Sequence, residues 1–123
     1  EIVKIAINTF LTTKISYENT IGQVLALSDL DDEIDSVLEA IGNDSRIGSK
    51  YLKFGFGFGG PCFPRDNRAF ASYAKQVGVE FNIGQITDDF NNEHAKFLFS
   101  YFTRIKIIYL LFFHLLRIRK ELI

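Results

Sequence analysis

The sequence of 123 residues contains no methionine, no tryptophan, a single cysteine and two prolines. One cysteine cannot form an internal disulfide, so nothing indicates an oxidising compartment, and we expect a reducing, cytoplasmic setting. Basic and acidic residues number 14 and 15, so there is no basic excess to neutralise the phosphates of a nucleic acid. The two histidines, His94 and His114, lie far apart and show no metal-ligand spacing with the cysteine. We therefore predict neither a nucleic-acid partner nor a metal site.

Long hydrophobic runs are also scarce. The longest extends from Ile107 to Leu116 and is interrupted only by His114. It is much shorter than the roughly 20 apolar residues that span a bilayer, so we predict no membrane span. The basic residues around it would also suit a helix lying on a membrane surface. The favoured interpretation is a helix buried against a partner subunit or against a domain outside this chain.

The apolar residues that are present recur at helical spacing. The pattern predicts four helical segments, over residues 2–27, 28–44, 64–78 and from position 83 onward. The second is expected to begin at a cap formed by Ser28 or Asp31 and to present an apolar stripe made of Ile34, Val37, Leu38 and Ile41. Residues 45–60 are expected to form a loop, with at most one helical turn over 49–53. No segment alternates as a strand would, so the predicted fold class is all-α.

The densest motif is FGFGFGGPCFPRDNRAF, residues 54–70, with four glycines in six positions just before Cys62. Pro64 is suited to the first turn of a helix, so the glycine loop should run into a helix N-terminus. Amide groups and the helix dipole there favour the thiolate form of Cys62, which is the nucleophilic form of a cysteine. Most single cysteines are inert core residues, but four neighbouring glycines raise the odds of a functional role. Asp66 would lie one turn further along the same face.

Two other patterns are weaker. Lys4 and Asn8 lie one helical turn apart and could donate together to a developing oxyanion, although such pairs are common on solvated helix faces. The segment RIGSKYLK, residues 46–53, places the basic residues Arg46, Lys50 and Lys53 directly before the glycine loop. It would suit a phosphate-bearing ligand, or it is an ordinary solvated loop.

Taken together, these stretches resemble the central domain of the UDP-glucose/GDP-mannose dehydrogenase family. The resemblance rests on KIAINTFLTTKISYEN (residues 4–19), RIGSKYL (46–52) and GFGFGGPCFPRD (55–66), and it covers residues 1–92. It implies a helical central domain with one long N-terminal helix that serves in dimerisation, and a glycine-rich catalytic loop. Residues 103–123 form a tail that is unlike the family.

The resemblance also implies roles for individual residues. Cys62 matches the nucleophile that forms a thiohemiacetal with the sugar aldehyde, which a second hydride transfer oxidises to a thioester. Lys4 and Asn8 match the pair that stabilises the oxyanion and helps to position water, and Asp66 matches the carboxylate that assists proton transfer. Arg46 matches the arginine that reaches the nucleotide sugar of the neighbouring subunit. The substrate-contacting loop would contain Tyr51, Lys53, Phe58 and Gly59.

The implied activity is the NAD-dependent oxidation of a nucleotide sugar at C6, as in the conversion of UDP-glucose to UDP-glucuronate for polysaccharide biosynthesis. The expected partners are a nucleotide-sugar substrate and a second copy of the chain. The family's N-terminal NAD-binding and C-terminal nucleotide-binding domains are not in the sequence, so we expect a single-domain fragment that binds NAD weakly and does not turn over.

Two alternatives remain open. The chain could be a non-catalytic helical dimerisation module derived from such an enzyme. It could also be the helical domain of a β-hydroxyacid dehydrogenase, a family that carries Lys and Asn at the same spacing. The glycine-flanked Cys62 argues against the second alternative, because oxidation of a secondary alcohol needs no thiol.

Overall fold

The structure, a computed structural model, describes residues 1–121. It consists of four α-helices: α1 (Ile2–Leu27), α2 (Ile34–Gly42), α3 (Phe63–Gln76) and α4 (Ile83–Glu121). A short 3-10 helix, Asp31–Glu33, precedes α2. No strand occurs between residues 1 and 121, so the predicted all-α class is confirmed. Helices α1, α3 and α4 pack against one another, and α2 packs against α1.

Helix α1 forms over the predicted range, but its buried face is polar and small rather than apolar. The buried residues are Thr9, Thr12, Ser16, Glu18, Asn19, Gly22 and Ala26. By contrast, Val3, Phe10, Tyr17 and Val24, spaced seven positions apart, are 67%, 63%, 47% and 55% exposed. The periodicity that predicts this helix therefore belongs mainly to a face that the rest of the described chain leaves open.

The apolar core lies where α2 meets α1. Ala26, Ile34 and Leu38 are buried there, with Phe54, Phe97 and Tyr101 packed against them. The predicted stripe of α2 is thus on the correct face, but the predicted cap is wrong. No side chain caps α2, and Ser28 instead ends α1, where its hydroxyl donates to the Val24 carbonyl at 2.7 Å.

A buried polar contact joins the other three helices. Asn67 of α3 is fully buried, and its side-chain NH₂ donates to the Gly84 carbonyl at 2.7 Å and to the Thr87 hydroxyl at 2.9 Å. The Thr12 hydroxyl of α1 lies 3.0 Å from Asn67 Oδ1. Because a buried amide without partners is costly, this set of contacts fixes how α1, α3 and α4 meet.

The segment between α2 and α3 is irregular, as predicted. The possible helical turn over residues 49–53 does not form, and Tyr51 instead adopts a left-handed backbone conformation with φ of 62°. A non-glycine residue in that conformation breaks a helical turn. Gly60 also has a positive φ, 76°, directly before Pro61 and Cys62, which turns the chain into α3.

The C-terminal tail continues α4 rather than forming a separate helix. From Phe102 to Arg117 nearly every residue is exposed, including the apolar ones. The favoured interpretation, a helix buried against a partner subunit or another domain, concerns protein outside this chain and stays a prediction. One described helix, Ile83–Arg117 of α4, is long and apolar enough to cross a membrane, with a mean hydropathy of 1.3 in its most apolar window. Length and composition alone do not distinguish a span from a helix that packs against another protein.

Gly22 lies where α1 packs closely against the glycine motif. A Cβ at this position would clash with the ring of Phe54, the first residue of that motif. Gly22→Ala should therefore destabilise the fold by about 1–3 kcal/mol from overpacking, although alanine favours helices by about 1 kcal/mol. Urea denaturation measures the change in the free energy of unfolding.

A double-mutant cycle supplies the control. In a Phe54→Ala background the clash is gone, so Gly22→Ala should become neutral or stabilising. If Gly22→Ala is equally destabilising in both backgrounds, the ring is not the reason for this glycine.

Candidate active site

Cys62 lies at the N-terminal end of α3. It is the N-cap residue of that helix, Pro64 lies in the first turn, and the Asp66 amide donates to the Cys62 carbonyl at 2.9 Å. The cysteine is unpaired and exposed. The predicted placement of Cys62 at a helix start, with Asp66 one turn later, is therefore confirmed. Helix N-termini favour a thiolate, because their free N–H groups and dipole attract negative charge.

Asp66 is the centre of a charged cluster that joins α1 to α3. The Asn8 side-chain NH₂ donates to Asp66 Oδ2 at 2.7 Å, and the Lys4 ammonium lies 3.6 Å from the same oxygen. The Arg65 Nε donates to the other carboxylate oxygen at 3.1 Å. The carboxylate is nearly inaccessible, whereas the side chains of Lys4 and Arg65 are 52% and 61% exposed. Lys4, Asn8 and Asp66, predicted separately from the sequence, thus lie together.

The electrostatics of this cluster favour a charged carboxylate. The hydrogen bond from Asn8 lowers the pKa of Asp66, and Arg65 and Lys4 lower it further against an opposing effect of burial. The pKa of Arg65 is raised, first by its hydrogen bond to Asp66, then by the charge of Asp66, and then by that of Cys62. The Arg65 guanidinium thus lies near both Asp66 and Cys62 at the start of α3.

The glycine loop is held by side chains of α1 and α4. Asn19 Oδ1 accepts from the Gly55 amide at 3.1 Å. Asn91 makes a paired contact with Phe58, accepting from its amide and donating to its carbonyl, both at 2.9 Å. His94 Nε2 contacts the Gly55 carbonyl at 2.7 Å. Side-chain amides and an imidazole thus replace the backbone partners that a strand would provide.

The predicted substrate residues are spread along residues 46–59. Arg46 is exposed and forms a two-pronged contact with Asp44 at 3.0 and 2.7 Å. Tyr51, Lys53 and Gly59 are exposed, whereas Phe58 is only 6% exposed and packs inward. In this conformation the Phe58 side chain is therefore not open to a substrate, and its amide and carbonyl both contact Asn91.

Several residues that shape the site escape sequence reasoning. Lys14 donates to the carbonyls of Ile47 and Gly48, both at 3.2 Å, and the buried Glu18 accepts from the Lys53 amide. The four polar residues Lys14, Glu18, Asn19 and Gln23 lie at one-turn intervals on α1, from 14 to 18 and from 19 to 23. This polar stripe is the signal in the sequence that α1 could bind a loop along this face.

Comparison with known proteins then decides the family. The model of the UDP-glucose/GDP-mannose dehydrogenase family, central domain, matches residues 1–93. The chain belongs to this family.

Individual dehydrogenases agree with that assignment. The chain is 45% identical over 83 residues to the UDP-glucose 6-dehydrogenase TuaD of Bacillus subtilis, covering 68% of this chain and 18% of that protein. It is 38% identical over 100 residues to a UDP-glucose 6-dehydrogenase of Pseudomonas aeruginosa, covering 81% of this chain and 22% of the relative. A solved UDP-glucose dehydrogenase from Pyrobaculum islandicum superposes with a TM-score of 0.69 at 39% identity, covering 75% of this chain and 21% of that one.

The chain spans about a fifth of the length of the UDP-glucose 6-dehydrogenases that it matches. Within the described residues, no group of three or more His, Cys, Asp or Glu side chains is placed to hold a metal ion.

Proposed function

We propose that this chain is the central-domain part of an NAD-dependent nucleotide-sugar 6-dehydrogenase that converts UDP-glucose to UDP-glucuronate in the cytoplasm. The observation that carries the proposal is the cluster at the start of α3. An exposed cysteine begins the helix whose next turn carries Asp66, and that carboxylate contacts the ammonium of Lys4 and the amide of Asn8. Asn8 and Asp66 lie 58 positions apart in sequence. A β-hydroxyacid dehydrogenase would have no use for the thiol.

Cys62 is the proposed nucleophile toward the sugar aldehyde. Its thiolate adds to the carbonyl carbon, a carbon–sulfur bond forms, and the carbonyl electron pair moves onto oxygen. The resulting oxyanion needs donors, and Lys4 and Asn8 supply an N⁺–H and an amide N–H from one face of α1. Release of the acid from the later thioester requires water to attack the same carbon and the sulfur to leave as thiolate.

Asp66 holds those donors in place. Its carboxylate contacts both Lys4 and Asn8, which keeps their side chains at the end of α3 where Cys62 lies. Its lowered pKa keeps the carboxylate ionised at neutral pH, which preserves these contacts, and also makes it a weak base. Asp66 would therefore assist proton transfer by orienting the attacking water rather than by keeping its proton.

The NAD site is proposed to lie outside this chain. Residues 1–121 contain no strand, so they offer no strand–turn–helix unit of the kind that binds a dinucleotide. The isolated chain is therefore expected to lack turnover.

The substrate is proposed to lie along residues 46–59, where Tyr51, Lys53 and Gly59 are open to it. Arg46 would leave Asp44 to reach the nucleotide sugar bound by a neighbouring subunit. Two copies of the chain are proposed to pair through the exposed face of α1, because Val3, Phe10, Tyr17 and Val24 repeat at the seven-residue interval of helices that pack side by side.

A domain exchange tests the proposal. Residues 1–102, which contain the matched segment 1–93 and extend through His94 and the core residue Tyr101, would replace the matching central domain of Bacillus subtilis TuaD. UDP-glucose-dependent reduction of NAD would be followed at 340 nm. We expect the exchanged enzyme to retain at least about 1% of the parent's kcat/KM, a loss of less than about 3 kcal/mol in transition-state stabilisation. A folded, dimeric exchange protein without any activity would favour the non-catalytic dimerisation module.

A further inference from the structure

His94 is a fully buried imidazole that the proposed chemistry does not use. Its ring is stacked between Phe90 and Phe97 of the same helix, at centroid distances of 5.6 and 6.0 Å. The edge of Phe54, from the glycine motif, meets it at 6.0 Å and 75°. Three aromatic rings therefore fix the plane of the imidazole, and both of its nitrogens are left with defined partners.

The partners determine the tautomer. Nε2 lies 2.7 Å from the Gly55 carbonyl, which can only accept, so Nε2 must carry the hydrogen. In a neutral ring Nδ1 is then an acceptor, and the side-chain nitrogen of Gln23, which can donate, lies 2.7 Å from it. The relay from Gln23 through His94 to Gly55 thus satisfies both ring nitrogens of His94 with one arrangement of hydrogens.

Gly55 is held from both sides. Its amide donates to Asn19 of α1 at 3.1 Å, and its carbonyl accepts from His94 of α4 at 2.7 Å. Gln23, which orients His94, lies one helical turn after Asn19 on α1. The start of the glycine loop is therefore held between α1 and α4 by one hydrogen bond at each backbone polar group of Gly55.

We propose that His94 is a positioning residue: with its tautomer set by Gln23, it fixes the glycine loop that leads to Cys62. The glycines of the loop bring no side chains and have maximal backbone freedom, so the loop depends on the side chains of α1 and α4 that contact its backbone. Its second anchor is Asn91 at Phe58, one turn before His94 on α4. The catalytic consequence rests on the proposed function, whereas the loop-fixing role does not.

Two variants of His94 separate the hydrogen bond from general packing. In His94→Gln the side-chain nitrogen can occupy the position of Nε2 and donate to Gly55. In His94→Asn the side-chain nitrogen reaches only the position of Nδ1, so the bond to Gly55 is lost. Both variants remove the aromatic ring and replace it with a carboxamide, so they are matched in chemistry.

Amide hydrogen exchange in the full 123-residue chain is the first measurement. His94→Asn should speed exchange at Gly55 and Phe58 by at least about tenfold relative to amides in the middle of α1, and His94→Gln should keep it within about threefold of wild type. Equal acceleration in both variants, or none in either, would overturn the proposal, because it would assign His94 to packing alone.

Nitrogen chemical shifts give an independent readout. Long-range proton–nitrogen correlation should place the hydrogen of wild-type His94 on Nε2, and Gln23→Leu should weaken that preference by removing the donor to Nδ1. A hydrogen found on Nδ1 in the wild-type chain would contradict the relay. The matched comparison is Gln85→Leu, which alters an exposed amide contact on α4 and should leave the ring unchanged.

Activity forms the last arm. In the exchanged TuaD enzyme His94→Asn should lower kcat/KM by about tenfold, and His94→Gln should restore most of it. If the exchanged enzyme is inactive without any substitution, the proposed function fails, while exchange and nitrogen shifts still decide the role of His94. An active enzyme that responds equally to both substitutions would refute the positioning role.

Discussion

Replacing Cys62 with serine is expected to lower UDP-glucose oxidation by the exchanged enzyme at least about 10³-fold. A serine hydroxyl is a far weaker nucleophile than a cysteine sulfur, and the described contacts of Cys62 include no general base that would activate a hydroxyl. Binding of UDP-glucose should change little, because the substitution alters one exposed atom. Steady-state kinetics and calorimetric titration measure the two effects separately.

Stability supplies the control for that experiment. Serine is a favoured N-cap residue, so Cys62→Ser should leave the free energy of unfolding of the 123-residue chain within about 0.5 kcal/mol of wild type or raise it. The variant chain should also lose all reaction with iodoacetamide, since Cys62 is the only thiol. A serine enzyme that keeps more than about a tenth of wild-type kcat would remove Cys62 from the nucleophile role.

The sequence predicts α1, α3 and the start of α4 to within about two residues, because helical spacing of apolar residues is a local property. It places the start of the second helix at residue 28, whereas α2 begins at Ile34. It predicts the pieces of the active site from the same local spacing: Lys4 and Asn8 are one turn apart, and so are Cys62 and Asp66. The contact between the two pairs, by contrast, depends on tertiary structure. No local pattern encodes the packing of α1 on α3, so only the family resemblance connects them in advance.

The burial of α1 shows where periodicity misleads. A stripe of apolar residues normally marks the core face, but here the core-facing side carries polar groups that hold the loop. Asn19, Gln23 and Glu18 all contact the loop or His94, and each of those partners lies more than 30 positions away. Such contacts depend on the path of the loop. Because glycines allow many backbone conformations, the sequence does not define that path.

Glu18 is the buried acid of that face and makes stability depend on pH. It is 4% exposed, and burial raises its pKa to about 7, although the Lys53 amide and the charge of Lys14 oppose the shift. The unfolded chain ionises this group near its ordinary value of 4.5. Between those two values the folded state holds a proton that the unfolded state has released.

The sign follows from proton counting. Because the folded state binds more protons, stability falls as pH rises from 4.5 to about 7, and the loss is complete above that range. A shift of this size corresponds to at most about 3 kcal/mol. Carboxylates with lowered pKa values, such as Asp66 and Asp44, have the opposite effect at acid pH, so the wild-type profile alone does not isolate Glu18.

Glu18→Gln isolates it. The amide resembles the protonated acid and can still accept from the Lys53 amide, so the variant should match wild type within about 1 kcal/mol at pH 4.5 and exceed it by about 2–3 kcal/mol at pH 8. Urea denaturation at both pH values measures the difference, in which the contributions of all other carboxylates cancel. Glu39→Gln, at an exposed position of α2, should show no such change. A difference between Glu18→Gln and wild type that is the same at both pH values would mean that Glu18 ionises normally and that its contact with the loop carries no pH dependence.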